Sequence, residues 1–327
     1  MTSNQFSIRL HEARKMMGLS MEKLAELTGG IITKQSISRY EKGLMLPKRV
    51  AKLAMAKALN ISDSYFDGTN LKIDMPMLRT TSNGKLSEGE LQALEAKLSF
   101  WAEQYLAKEK EAGFPTQFQN PIKDTKVSTL EDAIHAADLL REKWHCGDGP
   151  IASILRLLER KGIMILAATL PDYVFGMSTW ADKKHPLMIL DFNPEKSSVE
   201  KLRFTAVHEL AHLLLSFPQE SDYSVEKRCD LFASFFLLPK LALIEELGSK
   251  KREKITLEEM IDIKELYGAS LAASIIAARD YGIITTEYKR AWYAEHIEPN
   301  PREIGSGHYA FPETLGREKR VNSIIDS

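Results

Sequence analysis

The sequence predicts a multidomain chain, all-α at its N-terminus and α+β beyond it. Three observations carry this. Residues 5–67 show helical periodicity only, punctuated by Gly, Ser and Pro at helix ends. Residues 69–88, TNLKIDMPMLRTTSNGKLSE, are polar and hold Pro, Gly and Ser, the composition of a linker. Between residues 162 and 193 the period turns extended, and helices then resume. A length of 327 residues accommodates two or three domains of ordinary size.

Each element has a local reason. FSIRLHEARKMM is amphipathic and Gly18 ends it. Ser20 caps a second helix, MEKLAEL, and TGGII makes a turn. Thr33 caps KQSISRYEK, which stops at Gly43; Pro47 opens KRVAKLAMAKAL, and ISDSYF is a short fifth helix. Helices are predicted at 89–112 and 129–144, with irregular FPTQFQNPIKD between them. GPIASILRLLERKG follows as a helix with Pro150 near its start. GIMILAATL, FGMSTWAD and HPLMILDFN read as three short strands. A helix containing HELAH comes next, then a loop, SFPQESDYS, and a helix, VEKRCDLFASFFL, stopped by Pro239. Further helices are expected at about 240–249, 256–267 and 270–281. The last 30 residues hold Pro299, Pro301 and Pro312 and read as irregular. The expected divisions are 1–68, a connector 69–128, a domain 129–290 and a tail 291–327.

Hydrophobic residues make up 44% and charged residues 27%, as in a water-soluble globular chain. The net charge of −1 excludes a chain that binds nucleic acid over its whole surface. The charge is uneven, though. Residues 1–68 carry 11 Lys and Arg against 6 Asp and Glu, a net +5, which leaves −6 elsewhere. A basic end on an acidic body points to a local polyanion partner. Two cysteines, Cys146 and Cys229, are no disulfide framework. No apolar run reaches the roughly 18 to 20 residues of a membrane span, and MTSNQFSIRLHEAR has no signal-peptide core. The expectation is a cytoplasmic chain with no membrane partner.

The stretch RFTAVHELAHLLL carries the chemistry. On an α-helix, residues four apart share a face, so His208 and His212 can present two imidazole nitrogens to one Zn²⁺. Glu209 then falls beside the metal, where a carboxylate can take a proton from water. The competing reading is a partly buried helix whose histidines bond locally. A catalytic zinc wants a third protein ligand and an open position. The next helix supplies Glu226 and Asp230, four apart on one face. One can ligate while the other holds a ligand histidine by its second ring nitrogen, the bland alternative being a solvated helix face. Cys229, between them, reads as core. His185, His296 and His308 could assist the site, but nothing in their spacing says so, and they read as surface residues.

HELAHLLL followed by VEKRCDLFASFFLLP resembles the ImmA/IrrE family of zinc metallopeptidases. Glu226, Cys229, Asp230, Phe232, Ala233 and Pro239 fall on that family's second-helix pattern, with Cys229 where Ala is usual and Asp230 where Asn is usual. LLREKWHCGDGPIASILRLLERKGIMI and KELYGASLAASIIAARDYGII extend the resemblance over about residues 130–290. It implies a zincin-like α+β metallopeptidase fold with a small sheet, zinc held by His208, His212 and Glu226, Asp230 behind them, and Glu209 as general base. Members of the family cleave, or trigger the loss of, repressor proteins.

LSMEKLAELTGGIITKQSISRYEKG has the shape of a helix-turn-helix. Gln35, Ser36, Ser38 and Arg39 suit groove and phosphate contacts, together with Thr33 and Lys34 at the start of the second helix. Leu24, Ala25, Ile37 and Tyr40 supply the packing face. A small bundle for protein contact is the alternative, and the positive charge weighs against it. From Arg14 to Gly43 the pattern resembles the XRE, or Cro/lambda-repressor-like, DNA-binding family, in which the residues matching Arg14 and Glu41 pair as scaffold. Met21 stands where that family has a phosphate-contacting Gln, and the turn holding GGII is about two residues longer than usual.

Two functions follow. The first is a DNA-binding transcriptional regulator with a zinc endopeptidase that cleaves a repressor or other partner protein. HPLMILDFN would take extended substrate by β-augmentation if it lies at a sheet edge. The second is a regulator, or an antitoxin-like protein, whose peptidase fold senses a ligand or partner without proteolysis. Both imply operator DNA, bound as a homodimer.

Overall fold

The computed structural model describes residues 3–61, 63–68, 71–74, 88–113, 117–172, 174–218 and 222–326. The chain divides into two compact units. The first comprises Met1–Pro115, Thr179–Lys184 and Ile324–Ser327; the second comprises Thr116–Ser178 and His185–Ser323.

The first unit is built on four helices, α1 (Ser3–Met16), α2 (Met21–Leu27), α3 (Lys34–Glu41) and α4 (Arg49–Ala58), and a 3-10 turn at Asp63–Asp67. The caps are those the sequence predicts. Ser20 accepts the Lys23 amide at 3.1 Å and Thr33 accepts the Ser36 amide at 3.2 Å. Gly18 and Gly43 take the left-handed conformation that closes a helix end. Phe6, Leu10, Leu24, Ile37, Met55, Leu59 and Phe66 form the core, with Tyr40 at its margin.

This unit extends past the helix-turn-helix. Strand β1 (Ile73–Asp74) forms in the stretch that reads as a linker, and α5 (Glu88–Glu111) packs on α1. Arg9 on α1 is buried and ion-paired with Glu103 of α5 at 2.6 Å. Its guanidinium also lies over the Tyr65 ring at 4.1 Å and donates to the Tyr65 carbonyl at 2.9 Å. The rest of the expected linker, residues 75–87, lies outside the described residues.

In the second unit come α6 (Leu130–Trp144), α7 (Ile154–Arg160), the strands β2 (Met164–Ala167) and β4 (His185–Leu190), and the start of β3 (Gly176–Ala181), whose residues from Thr179 on are counted in the first unit. Ser153 caps α7, so Pro150 stands outside the helix rather than within its first turn. The strands run in the order β1-β3-β4-β2. β2 pairs parallel with β4, Met164 opposite Leu187 through Ala167 opposite Leu190. β4 is therefore an inner strand. HPLMILDFN is apolar because both of its faces are covered, and its two edges are already bonded. The expectation that it could add a substrate strand is corrected.

α8 (Val199–Leu214) packs on β4 and on α9 (Asp222–Leu237), which also packs on α6, and α10 (Lys240–Leu247), α11 (Leu257–Tyr267), α12 (Leu271–Asp280), α13 (Thr286–His296) and α14 (Arg317–Ile325) follow. α13 follows the last expected helix, in a stretch for which the sequence pattern predicts no element, and α14 lies in the end that reads as irregular. Thr285 caps the first of them, accepting the Tyr288 amide at 3.1 Å. Residues 117–127 hold the far end of α8. Asn120 donates to the Leu214 carbonyl at 2.8 Å, and Val127 donates to the Ser216 carbonyl at 3.0 Å.

Candidate metal centre

α8 and α9 face each other and bring five polar side chains together. His208 Nε2 lies 3.1 Å from Glu226 Oε2 and 3.2 Å from His212 Nε2. His212 Nε2 is 3.3 Å from Glu226 Oε1. A tetrahedral zinc with bonds of about 2.0–2.1 Å spaces its ligand atoms about 3.3 Å apart, and the two imidazole nitrogens and the Glu226 oxygens that face them are separated by distances of that size. The residues fit the metal on that ground and on donor chemistry, two imidazoles and a carboxylate.

Both histidines are held from behind. Asp230 Oδ1 accepts from His208 Nδ1 at 2.8 Å, and Cys229 Sγ is 3.7 Å from His212 Nδ1. With Nδ1 engaged, each ring aims Nε2 at the common point. The Sγ of Cys229 also lies within 4.8 Å of ligand atoms of both histidines. The thiol sits against the back of the His212 ring, whereas the Glu226 carboxylate oxygens face both Nε2 atoms. Burial, and then the nearby carboxylates of Glu226 and Glu209, push the Cys229 thiol up, which keeps it a neutral group. Burial works to lower the His208 pKa, but its hydrogen bonds to the Asp230 and Glu226 carboxylates outweigh it and lift it to about 9. His208 and then His212 hold the Glu226 carboxyl well below the usual carboxylate range.

Glu209 is 9% exposed and points toward the sheet. Ser178 on β3 donates its hydroxyl to Glu209 Oε2 at 2.7 Å. The strand comes this close because Gly176 has no side chain. A Cβ there would sit 2.6 Å from Thr205 Cγ2, 2.9 Å from Leu190 Cδ2 and 3.3 Å from Glu209 Cγ. Sequence reasoning missed Ser178, Gly176 and the contact of Cys229, because no spacing on one element encodes them. His296 meets the Trp292 ring at a tilt, with ring centroids 4.5 Å apart, and His308 is exposed beside Glu265.

In the first unit, Arg14 makes a two-pronged ion pair with Glu41 at 2.6 and 2.7 Å, with both side chains buried. It ties α1 to the end of α3. Thr33, Lys34, Gln35 and Arg39 are exposed, and Ser36 and Ser38 are half-buried. Thr33 spends its hydroxyl on the cap, and Lys34 pairs with Glu22 of α2. Met21 packs against the core, where a polar side chain would have faced out. The connection between α2 and α3 spans residues 28–33, with Gly29 and Gly30 both left-handed and Ile32 buried beneath them.

Residues 10–66 match the helix-turn-helix family model, and residues 158–277 match the peptidase model described as an IrrE N-terminal-like domain. The chain joins an XRE-type helix-turn-helix to an ImmA/IrrE-type domain. No curated protein matches it. The helix-turn-helix match takes in all of α2, α3 and α4, so a DNA-binding regulatory domain stands first. The ImmA/IrrE-type match takes in α8 and α9 and hence His208, Glu209, His212, Glu226 and Asp230. A metallopeptidase-type domain therefore follows. Among the described residues no helix is long and apolar enough to cross a membrane.

Proposed function

We propose that this protein is a zinc-dependent endopeptidase that its helix-turn-helix brings to operator DNA, and that it cleaves a repressor or other partner protein there. The observation that carries the reading is that His208 Nε2 and His212 Nε2 lie 3.2 Å apart while the Glu226 carboxylate spans both, with Oε2 3.1 Å from the first and Oε1 3.3 Å from the second. These three residues hold the metal, and Asp230 and Cys229 aim the two imidazoles. Bound zinc supplies a Lewis acid for the scissile carbonyl and acidifies the attacking water.

The rest of the chemistry belongs to the chain. Glu209 takes the proton of the attacking water on one carboxylate oxygen and hands it to the leaving amine. Ser178 holds the other oxygen, so the carboxylate cannot swing away between the two transfers. In the first unit, α3 presents Gln35 and Arg39 to the major groove, with Thr33, Lys34, Ser36 and Ser38 on the same rim. A single small domain makes few phosphate contacts, and a homodimer doubles them.

The experiment is metal analysis and proteolysis of candidate repressors by the purified chain and by Glu209→Gln. The wild type is expected to carry about one zinc and to cleave, and the variant to carry zinc and not cleave. Equal cleavage by both would overturn the mechanism. Zinc without cleavage by either, with transcriptional control intact in Glu209→Gln cells, would establish the sensing role instead.

A further inference from the structure

The peptidase-family match ends at residue 277, yet residues 285–323 are built into the same unit. Carboxylates at helix starts stitch them in. Glu303 pairs with Lys264 at 2.8 Å and accepts the amides of Leu271 and Ala272 where α12 begins. Glu313 accepts the amides of Ile154 at 2.8 Å and Leu155 at 3.0 Å, and the Ser153 hydroxyl at 2.7 Å, where α7 begins. Glu159 on α7 answers by accepting the amides of Gly316 and Arg317 where α14 begins. Each fills donors that a helix start leaves without partners.

This tail reaches the metal helix at two points. Glu200, in the first turn of α8, accepts the Tyr309 amide at 2.8 Å. One turn on, Arg203 is fully buried and ion-paired with Glu313. Its guanidinium lies over the Tyr309 ring at 4.2 Å and donates to the carbonyls of Ile151, Tyr267 and Gly268. The turn between α11 and α12 closes directly on it. Gly268 is left-handed, and a Cβ there would lie 2.5 Å from Arg203 Nε. A guanidinium buried this completely keeps its place only with its carboxylate present. Arg203 stands on the same continuous helix as His208 and His212, within three turns of both.

We propose that Glu313 is a positioning residue for the metal centre. By anchoring Arg203 it sets the depth and rotation of α8, so that docking of the C-terminal tail and binding of the metal are coupled. The proposal rests on the reading of His208, His212 and Glu226 as zinc ligands. Coupling of this kind is reciprocal. Zinc tightens the tail by the factor by which the tail tightens zinc.

The test uses the full chain, zinc competed against a chelator of known affinity, and amide hydrogen exchange with and without zinc. The variants are Glu313→Ala, Glu313→Gln and, as a control, Leu243→Ala, which trims a buried side chain of α10, outside the tail. Glu313→Ala is expected to weaken zinc about tenfold or more, the size typical of a lost outer-shell partner. Glu313→Gln, which keeps one oxygen for an α7 amide and loses the charge, is expected to fall between. Leu243→Ala is expected to melt lower with zinc affinity unchanged. In the wild type, zinc should slow exchange at the Leu155 and Tyr309 amides, and in Glu313→Ala it should not. Wild-type zinc affinity in both Glu313 variants, or tail exchange indifferent to zinc, overturns the coupling while leaving the metal site standing. A wild-type chain that binds no zinc overturns the metal reading and the coupling together. Should Glu313→Ala fail to fold, Glu313→Gln decides by the same criteria.

Discussion

Glu226 and Asp230 stand one turn apart on α9 and divide the two nitrogens of His208 between them. The division predicts unequal losses. Glu226→Ala removes a proposed ligand and is expected to cost most of the zinc affinity. Asp230→Ala leaves the three proposed ligands and is expected to cost about 10- to 100-fold. Competition titration of the two variants checks this, and the reverse order would mean that the roles are exchanged. In the first unit the buried Arg14–Glu41 pair is scaffold. Glu41→Ala leaves a buried guanidinium unmatched and is expected to cost about 3–5 kcal/mol. Arg39→Ala, on the exposed side of α3, is expected to leave stability unchanged and to weaken DNA binding. Local hydrogen exchange over residues 3–67, beside a duplex-binding titration, separates the two effects.

At the scale of elements, two approaches are close enough to test. β3 touches α8 through Gly176, and Gly176→Ala is expected to destabilise the second unit by about 1–3 kcal/mol, because its methyl meets Thr205 and Leu190 on two sides. A neutral result in thermal melting would show that the strand shifts freely. The second approach is α1 against α5. Burial pushes the Glu12 carboxyl from its ordinary 4.5 up to about 7; Arg9 opposes this, and Glu103 and Glu95 add to it. The sign follows from proton counting. Below pH 4.5 folded and unfolded chains both hold the proton; between 4.5 and about 7 only the folded chain does, so stability falls as pH rises through that window. Glu12→Gln is expected to flatten this slope and to stabilise the first unit at pH 8 by at most about 3 kcal/mol. An unchanged slope in denaturation curves from pH 4 to 8 would show that Glu12 titrates normally.

For the molecule as a whole, the basic segment 1–68 sets the expected DNA behaviour. The full chain should bind duplex DNA with an affinity that falls as salt rises, tightest on two half-sites about 34 Å apart. Binding indifferent to salt would remove the phosphate-contact model. The folded module is expected to need α5. A fragment ending at residue 68 leaves Arg9 without Glu103, whereas one ending at residue 113 keeps the pair. The longer fragment should therefore melt higher, as read by circular dichroism.

What the sequence by itself determined lies within single elements. The four-residue spacings of His208 with His212 and of Glu226 with Asp230 and the three short strands follow from the 3.6- and 2-residue periods, and the caps at Ser20 and Thr33 from their side chains at helix starts, all local properties of the chain. The tertiary structure alone decided which residues meet across elements. Which of Glu226 and Asp230 faces the shared point, why Ser178 reaches Glu209 across 31 residues, why Cys229 backs His212, and how Glu313 finds Arg203 across 110 residues depend on how helices pack on the sheet. So does the inner place of β4, since apolar alternation reports how many faces are buried and not which edges are bonded. Those contacts are set by shape complementarity between distant segments, and no period along the chain records it.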